Sequence, residues 1–164
     1  RRKRMRRADR EVVDQGELLE IMRRCDVCRL ALNGNDGFPY TVPLNFGISA
    51  SGDAVRLLFH SALEGHKIDL IKADPRASSE MDCDHILQYF EDKGYCTMVY
   101  ASVMGKGYIR MMSGDEKEKA LQKLMDQYHP DGHAYFNPAA IKRTAVYCLE
   151  VESMTGKRKL PKTR

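Results

Sequence analysis

Residues 60–67 read His-Ser-Ala-Leu-Glu-Gly-His-Lys, between the apolar stretch Val55–Phe59 and a segment with Ile68 and Ile71 at helical spacing. A strand–loop–helix entry of this kind suits an anion. The first amides of a helix have no intrahelical acceptor, and the helix dipole places partial positive charge there. Ser61 can donate its hydroxyl, Lys67 offers a point charge to a phosphate, and Gly65 lets the backbone come close. The same residues also describe an ordinary capped helix with a surface lysine. Local pattern leaves both readings open.

The preceding segment offers a different surface. Phe38–Ala50 reads as one long strand, with Val42, Leu44, Phe46 and Ile48 on one face and Thr41, Pro43, Asn45 and Gly47 on the other. The first face is core. The second is small, and Pro43 lacks an N–H, so it belongs at an edge or an interruption. A flat face with free main-chain groups suits a planar ring; the plain alternative is a solvent-facing edge strand. If the two segments are neighbours in the sheet, ring and phosphate lie within reach of one nucleotide.

Other reactive residues form weaker patterns. Cys25-Asp-Val-Cys28 is a C-x-x-C, but Cys83, Cys96 and Cys148 provide no second pair for zinc. It also falls where a helix ends and a strand begins, unlike a thioredoxin motif, so two structural cysteines are expected. Cys83 with His85, and His129 with His133, are incomplete ligand sets, and no metal site is expected. No G-x-S-x-G, H-E-x-x-H, Walker loop or dinucleotide glycine motif occurs.

The elements that must position these residues follow from periodicity. A helix is expected over 15–24 with Asp14 as its cap, and strands over 27–33, 38–50, 55–59, 76–82, 95–103, 107–112 and 144–152. Gly105 and Gly107 mark a bulge or bend between two of them. A short helix fits 65–72, a longer one follows a Ser113–Glu116 capping box, and Asn137-Pro138 opens another. Residues 83–94 carry no clear period. Hairpins dominate, so the fold class is mainly β with peripheral helices, a six- to seven-stranded antiparallel barrel.

Charge divides the chain further. The net +4 comes from the ends: residues 1–10 carry +6, residues 157–164 carry +5, and 11–156 carry −7. A basic N-terminal extension (1–10), one domain (11–156) and a basic tail (157–164) are the expected organisation. The acidic body argues against sequence-specific nucleic-acid binding. No apolar run is long enough for a membrane helix, and no secretory h-region is present. Five cysteines, an odd number, point to a reducing cytoplasmic location.

Six motifs then occur in order: Met5-Arg-Arg-Ala-Asp9-Arg-Glu, Phe38-Pro-Tyr-Thr-Val-Pro-Leu-Asn-Phe-Gly47, Phe59-His-Ser-Ala-Leu-Glu-Gly-His-Lys-Ile-Asp69, Tyr100-Ala-Ser-Val-Met-Gly-Lys-Gly107, Glu116-Lys-Glu-Lys-Ala-Leu121 and Thr155-Gly-Lys157. Together they resemble the nitroimidazole-resistance branch of the pyridoxamine 5′-phosphate oxidase-like flavoproteins. The resemblance implies a split β-barrel that forms a homodimer with FMN between subunits. Val42, Pro43, Leu44 and Asn45 would border the isoalloxazine through main chain. His60, Ser61, Ala62, Gly65, His66 and Lys67 would hold the ribityl phosphate and part of the ring edge. It further implies that His60 contacts flavin or substrate, and that Tyr100 and Ser102 approach the flavin from the neighbouring subunit.

The implied activity is FMN-dependent reduction of small electron-poor molecules such as nitroaromatics, with no assigned catalytic side chain. A non-catalytic flavin- or haem-binding barrel is the alternative, since five histidines leave haem ligation open. The chain lacks the full Arg/Lys phosphate set and the C-terminal substrate motif of true pyridoxamine 5′-phosphate oxidases, which argues against that particular activity.

Overall fold

In the computed structural model, which describes residues 5–163, Asp14 caps helix α1 (Gln15–Arg24) by accepting from the Glu17 amide. Leu18, Leu19, Ile21 and Met22 form its buried stripe, as their spacing requires. The strands are β1 (Glu11–Val12), β2 (Cys28–Asn33), β3 (Pro39–Leu44), β4 (Gly47–Ser51), β5 (Ala54–Ala62), β6 (Arg76–Phe90), β7 (Tyr95–Met111) and β8 (Thr144–Lys159). The remaining helices are α2 (His66–Ala73), α3 (Asp115–Tyr128) and α4 (Pro138–Lys142).

All strands pair antiparallel in one sheet of order β3-β2-β6-β7-β8-β5-β4, with β1 added along β8. Its two ends, β3 and β4, are joined by Asn45 and Phe46 rather than by hydrogen bonds, so the barrel is split. The expected strand 38–50 is therefore two strands. Each half pairs with a different neighbour, and the chain crosses the gap between them. The crossover is pinned from α3: the Phe46 N–H donates to Tyr128 Oη (3.0 Å), which donates to the Asp26 carbonyl (2.9 Å).

Three further expectations are revised. Segments 95–103 and 107–112 are one continuous strand, because its ladder to β6 runs unbroken through Gly105 and Gly107. The irregularity falls on the β8 side, where register shifts between Lys106 and Gly107. Strand 76–82 continues to Phe90 past a bulge at which Asp84 takes a φ of 61°, its carboxylate held by Arg24 at 2.8 Å. Finally, α3 starts from Gly114 with no side-chain cap, so Ser113 does not cap the helix. Glu116 turns instead to Arg110 (3.2 Å), which also binds Glu150 (2.9 Å).

The final strand also runs beyond 152. Lys157, Arg158 and Lys159 lie opposite Ser102, Ala101 and Tyr100, so the basic stretch 157–164 begins inside a paired strand. Charge marks which side chains stay hydrated and says little about backbone pairing. With β1 added, the sheet has eight strands.

Two hydrophobic clusters hold the sheet. Val55, Leu57 and Phe59 point inward with Leu30, Tyr147 and Leu149, while Leu58 points outward with Val146 and Cys148 beneath Ala120 and Leu121 of α3. This is why Leu57-Leu58-Phe59 is buried without alternation. Gly47 makes the α3 contact possible, since a Cβ there would stand 2.6 Å from the Leu124 Cα. It is buried, not on an open face as the alternation predicts.

Candidate functional site: the mouth of helix α2

At the end of β5 the chain turns through residues 63–65 into α2. Gly65 is the N-cap, with φ 140° and open space around its Cα, and no side chain caps the helix. The first-turn amides therefore face outward without a side-chain acceptor. Ser61 Oγ donates only to the adjacent Ala62 carbonyl (3.0 Å), a bond it can exchange for a ligand. Lys67 is half-buried, and that burial lowers its ammonium pKa. His60 lies opposite Val146 on the outer face. Desolvation, then the Lys67 charge, lowers its pKa and favours the neutral imidazole.

Inside the wall, Tyr147 packs on Phe59 with ring centroids 5.9 Å apart. Its buried Oη has no hydrogen-bond partner among the described residues. Burial raises the phenol pKa, and nearby Ser61 opposes the rise. Unpartnered buried hydroxyls are uncommon, and this one lies beneath the mouth.

β3 presents the second surface. Val42 and Leu44 are half-buried and pack on the core, whereas Thr41, Pro43 and Asn45 are exposed. Of the expected strand 38–50 only the β4 half pairs with β5; β3, which carries Val42 to Leu44, lies at the other end of the sheet. A ring contact joins them instead: Tyr40 of β3 meets His66 of α2 edge-on, centroids 5.0 Å apart and planes at 84°. One aromatic pair thus joins β3, the strand of Val42, Pro43 and Leu44, to the start of α2, the helix of His66 and Lys67. Sequence reasoning passed over Tyr40, although it sits two residues before Val42 on the same strand face. It also gave no sign of the role of Tyr128 at the crossover.

Tyr100 and Ser102 lie elsewhere. They belong to β7, separated from β3 by two strands and from β5 by one. Ser102 stands between Asp82 and Lys157, and Lys157 Nζ lies 5.9 Å from the Tyr100 ring centre.

The cysteine pair sits in the core. Cys25 and Cys28 are buried at the end of α1 and the start of β2, and desolvation pushes the Cys28 thiol up to about 12 and raises that of Cys25 as well. Cys83 joins Cys25 over the Ile21 carbonyl, at 3.8 and 3.3 Å. His85 is drawn to Asp82 (3.3 Å). Among the described residues, no group of three or more His, Cys, Asp and Glu converges as a metal site would.

A sequence model of the pyridoxamine 5′-phosphate oxidase family matches residues 14–158, from the α1 cap to the end of β8. The chain belongs to this family. Among solved structures, a candidate 5-nitroimidazole antibiotic resistance protein from Bacteroides thetaiotaomicron is 29% identical, with TM-score 0.77 over 90% of this chain and 85% of that one. The flavocytochrome Anf3 from Azotobacter vinelandii (18% identity, TM-score 0.76, 96% and 73% covered) shares the fold. So does an FAD- and haem-binding protein from Mycobacterium smegmatis (16%, 0.75, 94% and 77%). No curated protein matches the chain in sequence. The family match takes in β3, β5, α2 and β7, and so every residue considered above as a ligand contact.

Proposed function

We propose that this chain is an FMN-binding flavoprotein that reduces small electron-poor organic molecules, nitroaromatics among them, as a homodimer. The observation that carries this reading is the Tyr40–His66 contact, which sets the β3 edge beside an uncapped helix start bearing Lys67. The residues fit the group. Lys67, the Ser61 hydroxyl and the first amides of α2 would hold the phosphate, and Gly65 leaves room for it. The exposed edge of β3 from Val42 to Asn45 would lie along the ring.

The chemistry FMN supplies when bound is transfer of hydride or single electrons. The protein's part is to bind, orient and exclude water. Pro43 gives the ring a surface without a main-chain donor, Thr41 adds a hydroxyl beside it, and the half-buried Val42 and Leu44 fix that surface on the core. Neutral His60 offers a donor and an acceptor at the ring edge for orienting an acceptor molecule. The likeness to a candidate nitroimidazole-resistance protein supports the choice of substrate class.

The dimer is supported by the outer half of the β6–β7 hairpin. Leu87 and Met98 are direct cross-strand partners, 61% and 46% exposed, and Tyr89 continues the row at 59%. A row of this size on one face is expected to be covered. A second copy seated on this hairpin would place its own β7, with Tyr100 and Ser102, against the flavin. Five free cysteines support a reducing cytoplasmic location.

The test is the visible spectrum of the purified protein. Bands near ~375 and ~450 nm are expected for bound flavin. A colourless protein that takes up no added FMN overturns the reading, and a sharper band near ~400 nm would assign haem instead.

A further inference from the structure

A second cluster of donors lies away from the α2 mouth, where the N-terminal segment meets the end of β8. A cleft of about 490 Å³ separates Arg7–Val12 from the chain that runs from Arg158 to Lys162. Its walls carry five cations, Arg7, Arg10, Arg158, Lys159 and Lys162, against the carboxylates of Asp9 and Glu11. Both carboxylates are already engaged. Asp9 takes a two-pronged bond from Arg7 (2.9 and 2.8 Å), and Glu11 has a partner of its own. Arg10 reaches Asp9 only at 3.9 Å, and Arg158 reaches Glu17 at 3.8 Å. Among the described residues, Lys159 and Lys162 have no carboxylate within 4.0 Å.

The two walls meet because β1 pairs with β8, Glu11 opposite Lys157 and Val12 opposite Gly156. Lys159 lies opposite Tyr100, and Lys157 lies opposite Ser102. Directly opposed residues share a sheet face, as do residues two apart, so Tyr100, Ser102, Lys157 and Lys159 point the same way. Lys157, Lys159, Arg10 and Arg158 are all half-buried. Lysine is seldom drawn in this way without a counter-charge, and like charges this close repel each other. The Tyr100 phenol sits among them. Burial pushes its pKa up, but hydrogen bonds from Arg10 and Lys157 outweigh that and leave it lowered.

We propose that this cleft is a binding site for a small molecule bearing a phosphate or diphosphate group. Arg10 and Arg158 offer planar forks that match phosphate oxygens, and Lys159 and Lys162 add point charges. Among the described residues the cations lining the cleft outnumber its carboxylates, and an anion here would offset that excess. The cleft is finite; Asp9 and Glu11 line it, and Glu17 lies 3.8 Å from Arg158. Those carboxylates oppose an extended polyanion running on past the site, so a discrete phosphate ligand is favoured over nucleic acid.

The inference does not depend on flavin binding, and its test separates the two. Titrate the full-length protein with inorganic pyrophosphate at low salt by calorimetry, and repeat with Lys159→Glu and with the milder Lys159→Gln/Lys162→Gln pair. Saturable binding is expected, weakened at least tenfold by Lys159→Glu and several-fold by the milder pair, with FMN uptake unchanged in both. The milder pair keeps the reading testable should the charge reversal disturb folding. Absence of saturable binding, equal binding by the variants, or displacement of pyrophosphate by FMN would each overturn the proposal, the last because the anion would then sit at Lys67. Duplex DNA binding more tightly than pyrophosphate would also overturn it. A protein that takes up no flavin yet holds pyrophosphate through Lys159 would lose the function proposed above and keep this site.

Discussion

The mouth of α2 and the cleft beside β8 both gather donors for an anion, and they are built by opposite means. In the mouth, His60 to Lys67 follow one another along the chain, and one cation works with helix amides. In the cleft, Arg10 and Lys159 are distant in sequence and meet because β1 pairs with β8 in one register. A site made of contiguous residues depends on local backbone geometry. One made by register depends on the sheet and on charge. Substitutions should therefore hurt the two in different ways.

The largest effect is expected from Gly65→Val. A β-branched residue at φ 140° carries strain of roughly 1–3 kcal/mol and would turn the first amides of α2 away. FMN affinity, read by quenching of flavin fluorescence, should fall about a hundredfold while pyrophosphate binding is kept. Lys67→Ala comes next, costing about 1–3 kcal/mol of FMN affinity, the scale of a charge-assisted hydrogen bond. Unchanged affinity would remove Lys67 from the phosphate site.

Tyr128→Phe tests a more remote support. It leaves the buried Phe46 amide without its acceptor, so stability in urea should drop by about 1–3 kcal/mol, with only a few-fold loss of FMN affinity. A smaller effect is expected from His60. Its folded-state pKa lies below the ordinary value of 6.5, so the unfolded chain binds the proton more tightly. Stability from this group is full above about pH 6.5 and is lost as pH falls toward the folded pKa. His60→Gln should flatten that part of the urea-midpoint profile; an unchanged slope would show that the group titrates normally. The smallest effect is Cys25→Ala with Cys28→Ala, which should leave FMN binding nearly unaltered by the same titration. Loss of cofactor there would revive a redox role for the pair.

These contrasts follow how much the sequence could reveal. α1 with its Asp14 cap, the strand into residues 60–67 and the start of α2 were legible because hydrophobic period, cap and turn chemistry act within a few residues. The break at Asn45–Phe46 was not. Val42 to Ile48 keep perfect alternation, and only the choice of pairing partner, set by the rest of the sheet, divides them. Gly47 hid for the same reason, since nothing local says that α3 will rest on it. The continuation of β8 through Lys157–Lys159 was masked by charge, and with it the cleft. Tyr40 and His66 lie on different elements, so their meeting, which joins the halves of the mouth, is a tertiary fact.

The tie from Tyr128 has a consequence for how the molecule comes apart. Everywhere else around the wall, neighbouring strands are stitched by backbone hydrogen bonds; between β3 and β4 the chain crosses unpaired, and its crossover at Phe46 is held by one phenol at the last residue of a helix. Gln127 beside it grips the carbonyls of Met22, Arg23 and Cys25, so fraying at that single helix end frees the rim of the sheet and the tail of α1 together. Amide exchange should reach β3 and β4 first, and the ring-binding edge is thereby the softest part of an otherwise continuous shell.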